Sequence, residues 1–146
     1  MNLKNPPNIV VHIGGFKKFL NWEQACDEWI KNFSLLDKRA QSCIVIENDL
    51  KSHSIDSCMY IHKKVGVPVV FDHAHYDYKP TVGISMEQAM KLAMGTWKGR
   101  TPKVHACSQA FGVKVYNHGK TMVFGDFRKL YEAIKATGVE KCIMML

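Results

Sequence analysis

No stretch of this sequence approaches the roughly 20 consecutive apolar residues that a membrane-spanning helix needs. The N-terminus, MNLKNPPN, also lacks the apolar core of a secretory signal, so the expectation is an intracellular protein with its compartment left open. Cysteine is sparse, odd in number and scattered (Cys26, Cys43, Cys58, Cys107, Cys142), with no C-x-x-C spacing. That pattern argues against a disulfide framework and predicts buried, reduced thiols. Acidic residues are the minority, 13 against 20 basic ones, and the formal charge is +7, yet there is no dense basic block. Such a surface attracts polyanions and favours a nucleic acid over an acidic protein as partner. Linkers, internal repeats and low-complexity segments are absent too, so residues 1–146 read as a single domain.

What is present is enough apolar sequence, 47% of residues, to build a core, arranged in a repeating order. Five short β-branched runs read as strands: Asn8–His12 (NIVVH), Cys43–Glu47 (CIVIE), Val67–Asp72 (VPVVFD), Pro102–His105 (PKVH) and Lys141–Leu146 (KCIMML). Between them apolar positions recur at helical spacing, as in Phe19, Trp22, Cys26, Trp29, Ile30 and Phe33, giving four helices. Ser54 and Ser85 with Gln88 are cap signals for the second and third helices; Gly66 and Gly138 mark helix ends. Continuous apolar strands alternating with amphipathic helices predict an α/β fold with a parallel sheet, either doubly wound or part of a (β/α) barrel.

In a parallel sheet every strand ends on the same edge, where active sites of such folds lie. Four of the five strands end there in His12, Glu47, Asp72 and His105. Carboxylates mixed with imidazoles suit Zn²⁺, Mn²⁺ or Fe. In the segment FDHAHYD, Asp72 ligates from the strand end while a turn carries His75 to a second ion nearby, and His73 points the other way, as a supporting or surface group. His118, in the loop after the fourth strand, is the natural partner of His75, whereas His53 and His62 read as ordinary surface or helix residues. Lys103 stands two residues before His105 and so on the same side; beside cations it requires a salt bridge, a phosphate, a modification or a neutral amine.

The ordered set VVHIGG, IVIENDLKS, GVPVVFDHAHYD, TWKGRTPKVHACS and YNHGK resembles the second half of the UV-damage endonucleases, whose (β/α)₈ barrel is related to endonuclease IV and xylose isomerase. The resemblance runs from Asn8 to Leu146 and implies a partial TIM (β/α) barrel of five parallel strands. It implies that His12 and Glu47 hold a first divalent metal, that Glu47 bridges to a second held by Asp72 and His105, and that His75 and His118 hold a third. Lys103 matches an active-site lysine. Mn²⁺ is the first choice of ion, with Zn²⁺ or Mg²⁺ as alternatives. The implied activity is a nick on the 5′ side of a UV lesion in damaged double-stranded DNA, leaving 3′-hydroxyl and 5′-phosphate ends.

The sequence also departs from that pattern. A full barrel takes eight strands, and the expectation is that strands carrying an earlier histidine and an H-P-G-Q-Y-like wedge loop are missing. Leu146 falls one step before the position where relatives carry a glutamate ligand, in a pattern like M-L-E-x-K. Smaller departures are Ile13, Leu50 and Cys107. Open sheet edges and an exposed lumen side, including Val69 and Phe71, then predict self-association or a second chain that supplies the missing strands. Two other readings are a non-catalytic remnant that retains metal or DNA binding, and a sugar isomerase-type barrel enzyme.

Overall fold

The structure is a computed structural model and describes residues 6–15, 17–110 and 119–146. Its strands are β1 (Ile9–His12), β2 (Ile44–Glu47), β3 (Val69–Asp72), β4 (Lys103–His105) and β5 (Ile143–Met145). Its helices are α1 (Trp22–Ser34), α2 (Lys38–Cys43), α3 (Ile55–Val65), α4 (His73–Tyr78), α5 (Met86–Gly95) and α6 (Phe124–Ala136). All strand pairs are parallel and the order is β1-β2-β3-β4-β5, without the reversal that marks a doubly wound sheet. The arrangement is an open segment of a (β/α) barrel.

Six helices among the described residues, rather than four, are the first correction. The two extra ones, α2 and α4, have six residues each, too few for a periodicity to show. Each is started by an aspartate cap: Asp37 accepts from Ala40 N at 2.8 Å, and Asp72 accepts from His75 N at 2.8 Å. What reads as a turn after β3 is therefore helix α4. The other signals act as their chemistry suggests: Ser85 and Gln88 form a capping box and Gly66 closes α3 in the left-handed region, although Ser54 stands at the N-cap of α3 without a capping hydrogen bond.

The face of each strand residue follows from the period of two. Ile46, Val69, Phe71 and Val104 pack toward the helices against Ile61, Met90, Ala93 and Leu130, and all of them are fully buried. Val69 and Phe71 thus lie in the main core and not on the lumen side: Asp72 points into the lumen, so its neighbour Phe71 points away. The lumen side carries Val10, Val45 and Val70, and the Trp97 ring covers them. Its indole N–H donates to Val69 O at 2.8 Å, while the Thr96 hydroxyl accepts from Val69 N at 2.8 Å. Arg100 lies over the Trp97 ring at 5.4 Å, donates to Ser42 O at 3.3 Å and bonds the Asn8 side chain. The segment after α5 therefore plugs the end of the lumen opposite the strand C-termini.

Both outer strands of the open segment carry exposed apolar side chains: Ile9 on β1, and Ile143, Met145 and Leu146 on or beside β5. Phe124, Phe127 and Tyr131 add an exposed aromatic face on α6. The five cysteines are all free thiols; Cys26 and Cys58 are buried, but Cys43, Cys107 and Cys142 are only half-buried, since they lie at element ends. Among the described residues no helix is long and apolar enough to cross a membrane.

Candidate metal centre

Register decides which strand ends meet. His12 pairs with Glu47, and Asp72 pairs with His105. Between these couples Glu47 pairs with Val70, so Asp72 stands two residues further along its strand. A two-residue offset keeps all four side chains on the lumen face. Glu47, Asp72 and His105 each place one donor atom within 4.8 Å of the others. His105 Nδ1 lies 2.7 Å from Glu47 Oε1, and His12 Nε2 lies 3.6 Å from Glu47 Oε2. His75 enters from the first turn of α4, with Nδ1 3.7 Å from Asp72 Oδ2 and 3.8 Å from Glu47 Oε1. Its ring stands 5.7 Å from that of His12.

The His75 Nδ1–H donates to Asn48 O at 2.8 Å. That bond sets the tautomer, so Nε2 carries the lone pair, the usual arrangement of a metal-ligating imidazole. Asn48 also holds Asp72: its amide donates to Asp72 O at 3.1 Å and accepts from Asp72 N at 2.9 Å, which continues the β2–β3 ladder through a side chain. Asp72 is therefore held by its backbone through Asn48 while its carboxylate caps α4.

Burial pushes the Asp72 carboxyl above its ordinary value, with His75 opposing. Burial acts the same way on Glu47, but the His105 hydrogen bond and the His105 and His12 charges outweigh it and bring Glu47 down. The two carboxyls face each other, which pushes Asp72 further up and Glu47 further down. His105 Nε2 is buried without a hydrogen-bond partner among the described residues. A buried orphan nitrogen, two facing carboxyls and a pre-set imidazole are the donor set a divalent cation satisfies. The thiol of Cys107, pushed up to about 11 by burial and by the Asp72 and Glu47 charges, lies outside that set.

Residues 1–143 match the family of UV-endonuclease UvdE. The chain belongs to the UvdE family. It is 29% identical over 130 residues to the UV DNA damage endonuclease of Clostridium perfringens, covering 87% of this chain and 31% of that one. With the UV DNA damage endonuclease of Halalkalibacterium halodurans it shares 29% identity over 139 residues, 94% of this chain and 42% of the relative. The crystal structure of SacUVDE superposes with a TM-score of 0.84 and 29% identity, covering 97% of this chain and 46% of that chain. This UvdE-family chain thus spans less than half the length of these relatives.

Of the residues singled out from sequence, the structure gathers His12, Glu47, Asp72, His75 and His105. Lys103 is buried on the same face, and no hydrogen bond or ion pair reaches it among the described residues, so the salt bridge considered for it is absent. His118 lies outside the described residues. His62 sits on α3, its Nδ1 2.9 Å from Val67 O. His73 is not a surface group: it is buried, with Nε2 3.5 Å from Asp77. His53 is fully buried as well, contrary to its surface reading, with the Gly14 backbone beside its ring, so that the loop after β1 lies near the loop after β2. Sequence reasoning missed Asn48 and Trp97. For Asn48 the signal was its place directly after a strand-end carboxylate, where a side chain can extend the ladder.

Proposed function

We propose that this chain carries the metal-bearing rim of a DNA-repair endonuclease that cuts the phosphodiester backbone of double-stranded DNA at UV damage. The observation that carries the reading is the convergence of Glu47, Asp72 and His105 within 4.8 Å, flanked by His12 and His75. These five residues, with His118, would hold divalent cations, Mn²⁺ before Zn²⁺ or Mg²⁺. When bound, such cations offset phosphate charge and activate water. Glu47 holds His105 in one ring orientation through the 2.7 Å bond. Lys103, buried on the lumen face without an anionic partner among the described residues, positions the scissile phosphate by charge. In the hydrolysis, water oxygen joins phosphorus, the bond to the 3′ oxygen breaks, and a proton passes to that oxygen, leaving 3′-hydroxyl and 5′-phosphate ends.

The exposed apolar residues on both outer strands support a further element of this reading: the open segment pairs there with additional barrel strands, from a second polypeptide, from a second copy or from a longer form of the chain. The test is nicking of UV-irradiated supercoiled plasmid by Mn²⁺-loaded protein, alongside Mn²⁺ titration. Asp72→Ala and His105→Ala should lose tight Mn²⁺ binding and nicking, while His62→Ala keeps both. Unchanged Mn²⁺ binding by folded Asp72→Ala and His105→Ala would refute the ligand assignment, whereas equal loss in all three variants would indicate unfolding instead. A second reading keeps the donor set of Glu47, Asp72 and His105 but no catalysis, a unit that binds metal without turnover. Tight Mn²⁺ binding without nicking by the folded chain would select it.

A further inference from the structure

At the pole opposite the metal centre, where β2 and β3 begin, a pocket of about 320 Å³ opens between α2 and the C-terminal ends of α1, α3 and α5. Its lining carries three cations, Lys38, Lys98 and Arg100, and no carboxylate. We propose that this pocket binds a small phosphomonoester, a dianion held by those three side chains. The pocket shares no residue with the metal centre, so the inference stands apart from the nuclease reading.

Backbone strain sets this pocket apart from a chance grouping of surface lysines. Arg100 N donates to Trp97 O at 2.9 Å and closes a tight turn whose central residues, Lys98 and Gly99, have φ of 43° and 84°. Positive φ at both positions is the type I′ geometry, which suits glycine or asparagine but strains a lysine. Lys98 is the one described non-glycine residue with positive φ. Its ammonium lies 4.0 Å from where a Cβ on Gly66 would stand, with no hydrogen bond or ion pair among the described residues. The other two cations are held in place by neutral partners. Lys38 Nζ donates to Gln41 Oε1 at 3.1 Å, and Gln41 Nε2 donates to Phe33 O and Leu36 O, each at 3.0 Å, which fixes α2 against the end of α1. Arg100 lies over Trp97 and donates to Ser42 O at 3.3 Å and to the Asn8 side chain. Burial pulls Arg100 below its ordinary value, with Cys43 opposing, and an anion in the pocket would relieve that cost. Three cations around one cavity match the nearly double negative charge of a phosphomonoester at pH 7 better than the single charge of a carboxylate. The guanidinium fork suits phosphate oxygens, Val67 and Pro68 offer apolar surface to the ester group, and the volume admits a small ligand rather than a duplex.

The experiment titrates the full chain, without added metal, with inorganic phosphate and with phenyl phosphate at constant ionic strength, and follows backbone amide NMR shifts. Saturable shifts should centre on Gly66, Lys98 and Gly99. Lys98→Asn and Lys38→Ala should each weaken phosphate binding roughly tenfold, the worth of one charged hydrogen bond. Lys129→Ala on α6, outside the pocket, should stay within about twofold of wild type, because salt screens a distant exposed charge. Lys98→Asn should also raise the urea midpoint of the ligand-free chain, since asparagine tolerates positive φ. A gain in stability joined to a loss of binding is what a lysine kept for its ligand predicts. Unchanged phosphate affinity in folded Lys98→Asn and Lys38→Ala overturns the site, as does an equal loss in Lys129→Ala. Shifts confined to the rim of His12 and His75 also overturn it, as does a lowered urea midpoint of Lys98→Asn, which would make the lysine a structural element of its turn. A DNA duplex that moves the same three amides as phosphate does would reassign the pocket to a phosphodiester backbone and overturn the small ligand. None of these outcomes touches the metal centre, so the nuclease reading stands or falls by its own test.

Discussion

Replacing Asn48 by alanine removes the one side chain that holds Asp72 by its backbone. Asn48 is 2% exposed, and its amide makes two hydrogen bonds, to Asp72 O at 3.1 Å and from Asp72 N at 2.9 Å. Both Asp72 groups lose those partners in the variant, at a cost of about 1–3 kcal/mol for each group left unsatisfied in the interior. The expected destabilisation is therefore about 2–6 kcal/mol, read as the change in urea unfolding free energy without metal. The same change loosens a metal ligand through its support, for which a 10- to 100-fold loss of metal affinity is typical. Mn²⁺ titration of Asn48→Ala under folding conditions checks that figure. Asn48→Asp keeps an acceptor for Asp72 N but loses the donor, so its stability should fall between wild type and alanine. If Asn48→Ala unfolds within about 0.5 kcal/mol of wild type and binds Mn²⁺ equally well, the positioning role assigned to Asn48 is wrong.

Trp97→Ala should destabilise by about 3–5 kcal/mol, since it strips the cover from Val45 and Val70 and the donor from Val69 O. Trp97→Phe, which keeps most of the ring, should cost nearer 1–3 kcal/mol by urea unfolding; a cost equal to that of alanine would show that the hydrogen bond outweighs burial. Burial pushes His53 below its ordinary imidazole value, with Asp49 and the nearby Gly14 backbone opposing and Lys79 assisting. Folding therefore favours neutral His53, a contribution that is present above about pH 6.5 and declines as pH falls through the lowered value. Stability measured at pH 7.5 and pH 5 should drop more in wild type than in His53→Gln, and parallel curves would contradict the assignment.

The strands, their parallel direction and the rim on which His12, Glu47, Asp72 and His105 collect were legible in the sequence. A strand buried on both faces must be apolar throughout, as IVIE and VVFD nearly are, and parallel strands all end on one side. The charge excess and the scattered thiols were legible for the same reason: they are sums over residues and need no coordinates. Tertiary structure alone decided which face each side chain takes and what covers it. Nothing local tells Val70 from Phe71, yet the two-residue offset between β2 and β3 sends one under Trp97 and the other into the helix layer. Likewise Asn48 meets Asp72 across 24 positions, and His53 reaches Gly14 across 39. Such pairings depend on register and on loops closing over one another, and these arise from packing the whole sheet rather than from any single segment.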